Sequence, residues 1–201
     1  MLYPFAGSIQ QYVERVETAQ EGKRRRPSKC PQCESKQPLV CHGFYARTVA
    51  DRPEGFVIRV RRYFCAACRR TVSLLPDFVL PYLRFTIGTI ALFLKARLLE
   101  RKTLKAAAEA AQQPTMPYQR GQQWVDRFRR RAEGLSLSLT ALISPIEAAD
   151  FVTKAITMLE QAGWIEAHRF LFTTIRVHLL GWPRFLAPNG LAVTIKGGHR
   201  A

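Results

Sequence analysis

Cys30-Pro-Gln-Cys33 and Cys65-Ala-Ala-Cys68 are the two segments of this 201-residue chain that decide its fold. Each C-x-x-C segment forms a tight turn that directs two thiolates at one point, and two such turns supply the four sulfur ligands that Zn²⁺ prefers. The gap of 31 residues between the turns exceeds the common gap of about 15–20 residues, but a hairpin with long arms accommodates it. The spacing therefore predicts one structural zinc ion bound by Cys30, Cys33, Cys65 and Cys68.

Other uses of these cysteines fit the sequence less well. A redox C-x-x-C requires a thioredoxin-like βαβ context, which we do not find in the sequence. A catalytic zinc site keeps one coordination position open, whereas four cysteines close the site. Cys41 and His42 are spare potential ligands. We leave both outside the predicted zinc site, because four sulfurs already complete it.

The segment between the two cysteine pairs predicts an antiparallel sheet. Residues 56–64 (FVIRVRRYF) alternate, with Ile58 and Val60 set against Arg59 and Arg61. This period of two is typical of a strand with one apolar and one cationic face.

Shorter strands and a turn complete the predicted sheet. We expect strands over residues 47–49 and 71–74, and a hairpin turn over residues 51–55, where Pro and Gly follow Asp. Pro76 and Pro81 mark an extended connector that no helix crosses. The predicted fold class is therefore α+β, with a small antiparallel zinc ribbon followed by a mainly helical region.

The remaining sequence predicts helices. Ser8 is expected to cap a helix over residues 8–21, Thr103 and Thr115 to cap two later helices, and Ser144 to open a capping box with Glu147. The later helices are predicted over residues 86–99, 104–111, 115–132, 145–161 and 166–180. These elements divide the chain into an N-terminal helix and basic arm (1–27), the ribbon (28–82), a helix-turn-helix (83–135) and a C-terminal helical region with a tail (136–201).

The charge of the chain points to a polyanionic partner. Lys and Arg total 31 against 15 acidic residues, which gives a net charge of +16. Such a balance attracts nucleic acid or an anionic membrane. The most apolar stretch, residues 87–94, is cut off at Lys95 and is far shorter than the roughly 20 residues that cross a bilayer. The first residues also lack the pattern of a signal peptide. We therefore expect a cytoplasmic protein, with reduced cysteines, that binds no membrane.

The basic residues are concentrated in the first two thirds of the chain. Residues 23–70 carry a net charge of +10 and residues 84–131 a net charge of +8, whereas residues 144–201 carry only +2. Arg outnumbers Lys 23 to 8. The guanidinium fork suits phosphate and guanine, although a GC-rich coding bias would produce the same excess.

Three basic segments are candidate nucleic-acid contacts. The run at residues 23–26 is either an arm along a phosphate backbone or a solvated linker, and the strand arginines would be displayed on the ribbon. The helix over 115–132 would enter the major groove with Gly121, Trp124, Val125 and Phe128 facing the core, although a generic amphipathic helix with a basic face fits the same pattern. The predicted DNA contacts are Arg24, Arg25, Arg26, Arg59, Arg61, Arg62, Arg69, Arg70, Gln119, Arg120, Gln122, Gln123, Arg127 and Arg130.

Three segments resemble a known bacterial pattern: Cys30-Pro-Gln-Cys33, Cys41-His-Gly-Phe-Tyr-Ala-Arg47, and the segment from Val60 to Pro76. They resemble the N-terminal zinc ribbon of insertion-sequence transposases and of short transposase-like proteins. The resemblance covers about residues 28–85 and, more loosely, the helix-turn-helix to residue 135. It implies recognition of DNA ends or operator-like sites, with the four cysteines as zinc ligands.

The resemblance departs from the family in one respect. Cut-and-paste transposases of this kind carry three acidic metal ligands on an RNase H-like sheet. After residue 135 the acidic residues are only Glu147, Asp150, Glu160 and Glu166, all in helical-looking sequence. We therefore expect a DNA-binding protein that is not an enzyme: a mobile-element accessory protein, a regulator or a transposase fragment.

Other functions remain open at this stage. An RNA-binding ribbon would stack bases on Phe44, Tyr45, Tyr63 or Phe64. A nuclease or transposase active alone would need a carboxylate cluster, which we do not find. A pure assembly module would dimerise through residues 145–180. Double-stranded DNA is the predicted partner. A second copy of the chain and a separate transposase or recombinase subunit are further candidates.

Overall fold

The computed structural model describes residues 2–5, 7–16 and 26–181, and its architecture confirms the predicted α+β class. Within these residues, a three-stranded antiparallel sheet with one short extra strand precedes a group of helices. The strands are β1 (Leu2–Tyr3), β2 (Val40–Asp51), β3 (Glu54–Cys65) and β4 (Arg70–Pro76). The helices are α1 (Ile9–Val16), α2 (Ile87–Leu98), α3 (Leu104–Ala110), α4 (Tyr118–Leu139), α5 (Phe151–Ala162) and α6 (Trp164–Ile175).

The sheet has the strand order β1-β4-β3-β2. β2 and β3 form the predicted hairpin, in which Asp51 pairs with Glu54 across a turn at Arg52 and Pro53. All three long strands extend beyond the predicted segments. β1 was not predicted: it pairs in parallel with β4 through Leu2 and Leu75, and two residues are too few to show a strand period.

The sheet contributes to two separate cores, one on each face. Ile58 and Val60 are buried against the N-terminal segment and α1, whereas Tyr63 and Cys65 are buried on the opposite face. Successive strand residues point to opposite faces of a sheet. Residues 58 and 60 are therefore buried on one face of β3, and residues 63 and 65 on the other. The predicted apolar face at 58 and 60 is confirmed, and Arg59 between them is exposed.

The third core lies among the helices around Trp124. Its ring meets Phe85 and Phe93 edge-on, with ring centroids 5.0 and 5.4 Å away. Gly121 lies under Phe93, where an added Cβ would fall 2.6 Å from the ring. The predicted core residues of α4 are therefore all buried, and Gly121 is required because the ring leaves no room for a side chain.

The predicted bounds of α4 were wrong at both ends. The helix begins at Tyr118, after Pro117, and no side chain caps it. Proline disfavours the helical region for the residue before it, so Met116 does not join the helix and Thr115 is not its cap. The helix continues past residue 132 to Leu139, because Leu135 and Leu139 extend its buried stripe.

The last two helices also differ from their predicted bounds. Asp150 caps α5, its Oδ1 accepting hydrogen bonds from the N–H groups of Val152 (2.8 Å) and Thr153 (2.9 Å). The predicted capping box at Ser144 was therefore wrong, since residues 144–150 precede the helix. α6 begins at Trp164 and ends at Ile175, five residues before the predicted end, and the next residue, Arg176, adopts a left-handed conformation (φ 56°). At the N-terminus, Ser8 does cap α1: its Oγ accepts from the Gln11 N–H at 3.2 Å.

Hydrogen bonds join the sheet to the first helix of the helical region. The N–H of Ala50 donates to the Arg84 carbonyl, and the N–H of Thr86 donates back to the Ala50 carbonyl. The Thr86 hydroxyl caps α2 and donates to Asp51 at 2.6 Å. The hairpin turn is thereby held against the start of α2.

A buried polar network, which no local pattern in the sequence predicted, ties the connector after β4 to α6. The Asp77 carboxylate is fully buried; it accepts from the Phe5 N–H and from the guanidinium of Arg169. His168 contacts the Asp77 carbonyl at 3.2 Å and the His178 ring at 3.0 Å. The two histidines are buried, and this burial lowers the pKa of His168 to about 4 and the pKa of His178 still further.

The free energy of unfolding should fall as the pH is lowered from about 6.5 to about 4. In the unfolded chain His168 takes up a proton at its ordinary pKa of 6.5, but in the fold only near pH 4, so the unfolded state binds more protons throughout this window. The shift corresponds to about 3 kcal/mol of stability that is present above pH 6.5 and lost by pH 4. Urea unfolding at pH 7.0 and pH 4.5 measures the difference.

Two matched variants test whether His168 causes this dependence of stability on pH. His168→Gln should reduce the difference in stability between the two pH values. The same substitution at His42, which is exposed on β2, should leave it unchanged. Equal pH dependence in the two variants would show that the buried pair is not the source.

Candidate metal centre and basic surfaces

The four predicted metal ligands come together at one end of the sheet. The Sγ atoms of Cys30, Cys33, Cys65 and Cys68 all lie within 4.8 Å of one another. The Cys30 and Cys68 sulfurs are 3.8 Å apart, and the Cys33 and Cys65 sulfurs 3.7 Å apart. Sulfurs about 2.3 Å from a tetrahedral zinc ion would lie about 3.8 Å from one another. The cluster therefore has the dimensions needed to hold one metal ion.

The two cysteine turns, Cys30–Cys33 and Cys65–Cys68, are built alike. In each, the residue after the second cysteine is left-handed: Glu34 has φ 57° and Arg69 has φ 55°. The Glu34 N–H donates to the Cys30 carbonyl at 2.9 Å, and the second turn joins β3 to β4 where Cys65 pairs with Arg70. Both turns therefore bring their two sulfurs to one side.

A small core holds the two cysteine turns together. Cys30 and Cys65 are buried with Leu39, Tyr63 and Val72 on one face of the sheet. Cys33, by contrast, is exposed at the surface. The cluster thus has a buried side against the sheet and an open side toward solvent, from which an ion can enter.

The thiols of the cluster differ in their pKa values. A hydrogen bond from the Cys68 backbone N–H is the main cause that lowers the pKa of Cys65 to about 7. For Cys33, the Ser35 N–H lowers the pKa, but desolvation and the three neighbouring thiols together raise it to about 12. The Cys65 thiol therefore loses its proton at a lower pH than the Cys33 thiol. Four thiolates this close need a positive ion between them, and soft sulfur ligands suit Zn²⁺.

The two spare potential ligands lie outside the cluster. Cys41 and His42 are exposed on β2, where the register shifts between Cys41 and Phe44. The pKa of Cys41 is lowered, first by a hydrogen bond with Arg61 and also by Arg26. Among the described residues, the group that could hold a metal ion consists of the four cysteines of the two turns.

The strand arginines are divided between the two faces of the sheet. The guanidinium carbons of Arg59 and Arg61 lie 4.8 and 4.4 Å from the centre of the Phe44 ring, on one face. Arg62 points to the other face and donates to the Thr71 hydroxyl at 3.5 Å. Arg69 and Arg70 are exposed beside the second cysteine turn. Arg62 is therefore separated from Arg59 and Arg61, although all three were predicted as DNA contacts.

Phe44 supports this surface, a role that the sequence analysis did not assign to it. It pairs with Arg61 across the hairpin, and guanidinium groups are attracted to aromatic faces. Counting residues back from the turn at Arg52 and Pro53 would have placed Phe44 beside these arginines. The register is regular up to Phe44, and the bulge lies beyond it.

The predicted groove-facing residues lie on the exposed side of α4. Gln119, Arg120, Gln122, Gln123 and Arg130 are exposed, and Arg127 is half-buried. The turn between α3 and α4 spans residues 111–117, whereas a typical helix-turn-helix has a turn of about 3–4 residues. The exposed side of α4 is therefore polar, as predicted. The turn between α3 and α4 is longer than the turn of a typical helix-turn-helix.

The basic arm is only partly described. Arg24 and Arg25 lie outside the described residues. Arg26 is exposed, and its Nη2 lies 3.5 Å from the Cys41 sulfur. Arg26 therefore lies near the sheet face that carries Arg61.

The aromatic residues suggested for stacking on RNA bases are largely unavailable. Tyr63 is fully buried, and the ring of Phe44 is covered by two guanidinium groups. Tyr45 and Phe64 are half-buried. Base stacking on these rings would therefore require the ribbon side chains to rearrange.

A helix suited to crossing a membrane is not found in the part of the chain that the structure describes. The longest helix, α4, has 22 residues, among them several Arg and Gln side chains. Its polar face alone makes it unsuitable for a bilayer.

Residues 30–116 match a family described as a domain of unknown function (DUF6431). The match covers both cysteine turns, strands β2 to β4 and helices α2 and α3, and it ends just before α4 begins. No curated protein and no solved structure matches the chain. The resemblance to insertion-sequence transposases therefore stays a prediction from the sequence.

Proposed function

We propose that this protein is a zinc-dependent double-stranded DNA-binding protein, with a zinc ribbon and helix α4 as its two contact surfaces. The observation that carries the proposal is the exposed side of α4. It presents Gln119, Gln122, Gln123 and Arg130 together, with Asp126 as the acidic residue among them. Gln pairs with adenine and Arg with guanine in the major groove, which is wide enough for a helix.

Zinc would act as a structural ion in this proposal. Cys30, Cys33, Cys65 and Cys68 would hold it, and it would supply the stability that the small core beneath the cysteine turns cannot supply alone. By joining the two turns it would fix the ends of β3 and β4. The arginines next to the second turn would then hold a constant position relative to the sheet.

The ribbon would contribute contacts to the phosphate backbone. Arg59 and Arg61 are held against Phe44, and Arg69 and Arg70 extend from the second cysteine turn. Contacts to phosphate position a protein on the duplex, whereas contacts to base edges select the sequence. We therefore assign affinity mainly to the ribbon and sequence preference mainly to α4.

The proposal places the protein among binding proteins of mobile elements and not among enzymes. In residues 2–5, 7–16 and 26–181, the four-cysteine site is the one cluster of three or more potential metal ligands, so no acidic triad accompanies it there. A four-sulfur site leaves no coordination position for substrate. A regulator, an accessory protein or a fragment of a transposase would each fit this arrangement.

The proposal is tested by measuring duplex binding against salt concentration. Zinc-loaded protein should bind a duplex DNA more tightly than a duplex RNA of the same sequence. The logarithm of the binding constant should fall linearly with the logarithm of salt concentration, with a slope near −0.9 for each phosphate contact. Chelated protein should lose most of this binding. Equal or tighter binding to RNA, or binding that is indifferent to zinc, would contradict the proposal.

Two variants separate the two surfaces. Arg70→Gln should reduce the salt slope by about 1 and weaken all duplexes alike, because it removes a phosphate contact. Gln123→Ala should leave the slope unchanged and weaken preferred duplexes more than random ones. Arg15→Gln provides the control, since Arg15 is exposed on α1 away from both surfaces. Binding that responds equally to all three substitutions would argue against this division.

A further inference from the structure

A cavity of about 710 Å³ lies beside the C-terminal end of α2, and the proposed function does not use it. Arg97 lines it from α2, Arg101 from the loop that follows, and Arg129 from α4. Asp150 and Thr153 line it at the start of α5. Three arginines from three separate segments therefore line one space.

The arginines outnumber the one acidic side chain of the lining, Asp150, whose pKa is lowered first by the hydrogen bond from the Thr153 N–H and also by the charge of Arg101. Among the described residues, none of the three forms a salt bridge. Arg97 donates from Nη1 to the Lys102 carbonyl at 2.9 Å, but its Nε is inaccessible to solvent and has no hydrogen-bond partner. A guanidinium N–H left without an acceptor carries an energetic cost. This N–H is closed to solvent, so a ligand in the cavity would have to meet the other N–H groups of the three arginines.

The acid in the cavity, Asp150, is already engaged. Its carboxylate accepts from the backbone N–H groups of Val152 and Thr153 and from the Thr153 hydroxyl at 3.0 Å. These bonds also occupy the first free amides of α5, so the arginines and not the helix terminus are the donors open to a ligand. With Asp150 counted, the lining keeps an excess of two positive charges.

We propose that this cavity binds the phosphate group of a larger molecule. A guanidinium fork binds two oxygens of one phosphate, and several forks together match a doubly charged anion better than a single carboxylate. The volume is within the range of small-molecule sites and greatly exceeds that of one phosphate. Leu98, Leu99 and Val152 add apolar walls for the rest of the ligand.

Two kinds of molecule contain such a phosphate group: a free nucleotide and the backbone of a DNA duplex. Arg129 lies on α4, one residue before Arg130, so a duplex along the exposed side of α4 would bring a backbone phosphate near the cavity. That second source rests on the proposed function, whereas the first does not. The apolar walls suit the base or sugar of a nucleotide equally well.

The test compares ATP, adenosine and a labelled DNA duplex as probes of the full chain. Wild type, Arg101→Gln, Arg129→Gln and the double variant are titrated with ATP and with adenosine by calorimetry, and with the duplex by fluorescence anisotropy at several salt concentrations. Arg130→Gln is the matched control for the nucleotides, because it lies on the same helix outside the cavity lining. Arg15→Gln is the control for the duplex, and thermal melts check the fold of each variant.

Two results would support the proposal. In the first, ATP binds at least tenfold more tightly than adenosine, and the double variant loses at least tenfold in ATP affinity while Arg130→Gln does not. In the second, ATP does not bind, but each single variant reduces the salt slope for the duplex by about 1. The first identifies a free nucleotide as the ligand and the second the DNA backbone.

Three results would overturn it. They are binding of adenosine as tight as that of ATP, changes below twofold in the folded double variant for both ATP and duplex, and failure of wild type to bind either probe. If wild type binds ATP through these arginines but binds no duplex, the proposed function fails and this inference stands. The two proposals can therefore fail separately.

Discussion

Chelation of the bound metal, or replacement of Cys30 and Cys65 together by serine, is expected to unfold the two cysteine turns and the strand ends that they join, and to abolish duplex binding. The core under the cysteine turns is small: beside the cysteines it holds Leu39, Tyr63, Val72 and Leu74. Structural zinc contributes on the order of 10–16 kcal/mol of apparent free energy in small domains, far more than these four side chains can replace. Without the metal, the two turns lose the link that aligns β3 and β4.

The measurements are metal content by mass spectrometry, circular dichroism and limited proteolysis before and after chelation. One zinc ion per chain is expected in the wild type and none in the double variant. Proteolysis of the apo-protein should cut within residues 28–82 first and leave the helical region longer. Because metal binding displaces protons from the thiols, zinc affinity should also fall as the pH is lowered.

Cys41→Ser is the matched control, because Cys41 lies outside the cluster and is exposed. It should retain one zinc ion and the stability of the wild type. Loss of zinc in Cys41→Ser would mean that the ligand set differs from the four-cysteine cluster. A Cys30→Ser, Cys65→Ser variant that folds and binds DNA like the wild type would exclude a structural metal.

Asp77→Ala is expected to destabilise the protein by about 3–5 kcal/mol, the usual cost of removing one partner of a buried ion pair. The Asp77 carboxylate is fully buried, and burial raises its pKa although Arg169 opposes this effect. The variant would leave the half-buried Arg169 without its main acceptor and remove the carboxylate that accepts from the Phe5 N–H. It would therefore loosen both α6 and the N-terminal segment from the connector after β4.

Glu166→Gln is the control for this effect, because Glu166 is the other carboxylate near Arg169. It lies 4.0 Å from the guanidinium and its side chain is 58% exposed, so its loss should cost well under about 1 kcal/mol. Urea unfolding at pH 7 measures both variants. A cost of Asp77→Ala as small as that of Glu166→Gln would show that the network contributes little to stability.

Some features could be predicted because they depend on short segments. The two C-x-x-C turns fold from neighbouring residues, and the alternation of Ile58 and Val60 with Arg59 follows from the period of a strand. The buried stripe of Trp124, Val125 and Phe128 follows in the same way from the period of a helix. These patterns need no knowledge of what lies across the core.

The failed predictions depended on competition between local signals. Ser144 and Asp150 both suit an N-cap, and only Asp150 starts a helix that buries Ala155, Ile156 and Leu159. Similarly, Thr115 does not cap α4, because Pro117 keeps the residue before it, Met116, out of the helix. Helix ends are set by which alternative packs better, and a single capping residue contributes only about 1 kcal/mol.

The sequence by itself determined the four-cysteine cluster, the fold class and the basic character of the chain, because residue type and spacing carry that information directly. Only the tertiary structure decided which charges meet. It paired Asp77 with Arg169, separated Arg62 from Arg59 and Arg61 on the sheet, and placed Arg97, Arg101 and Arg129 around one cavity. Such groups lie on segments far apart in the chain, and their distances follow from the packing of the cores and not from any local period.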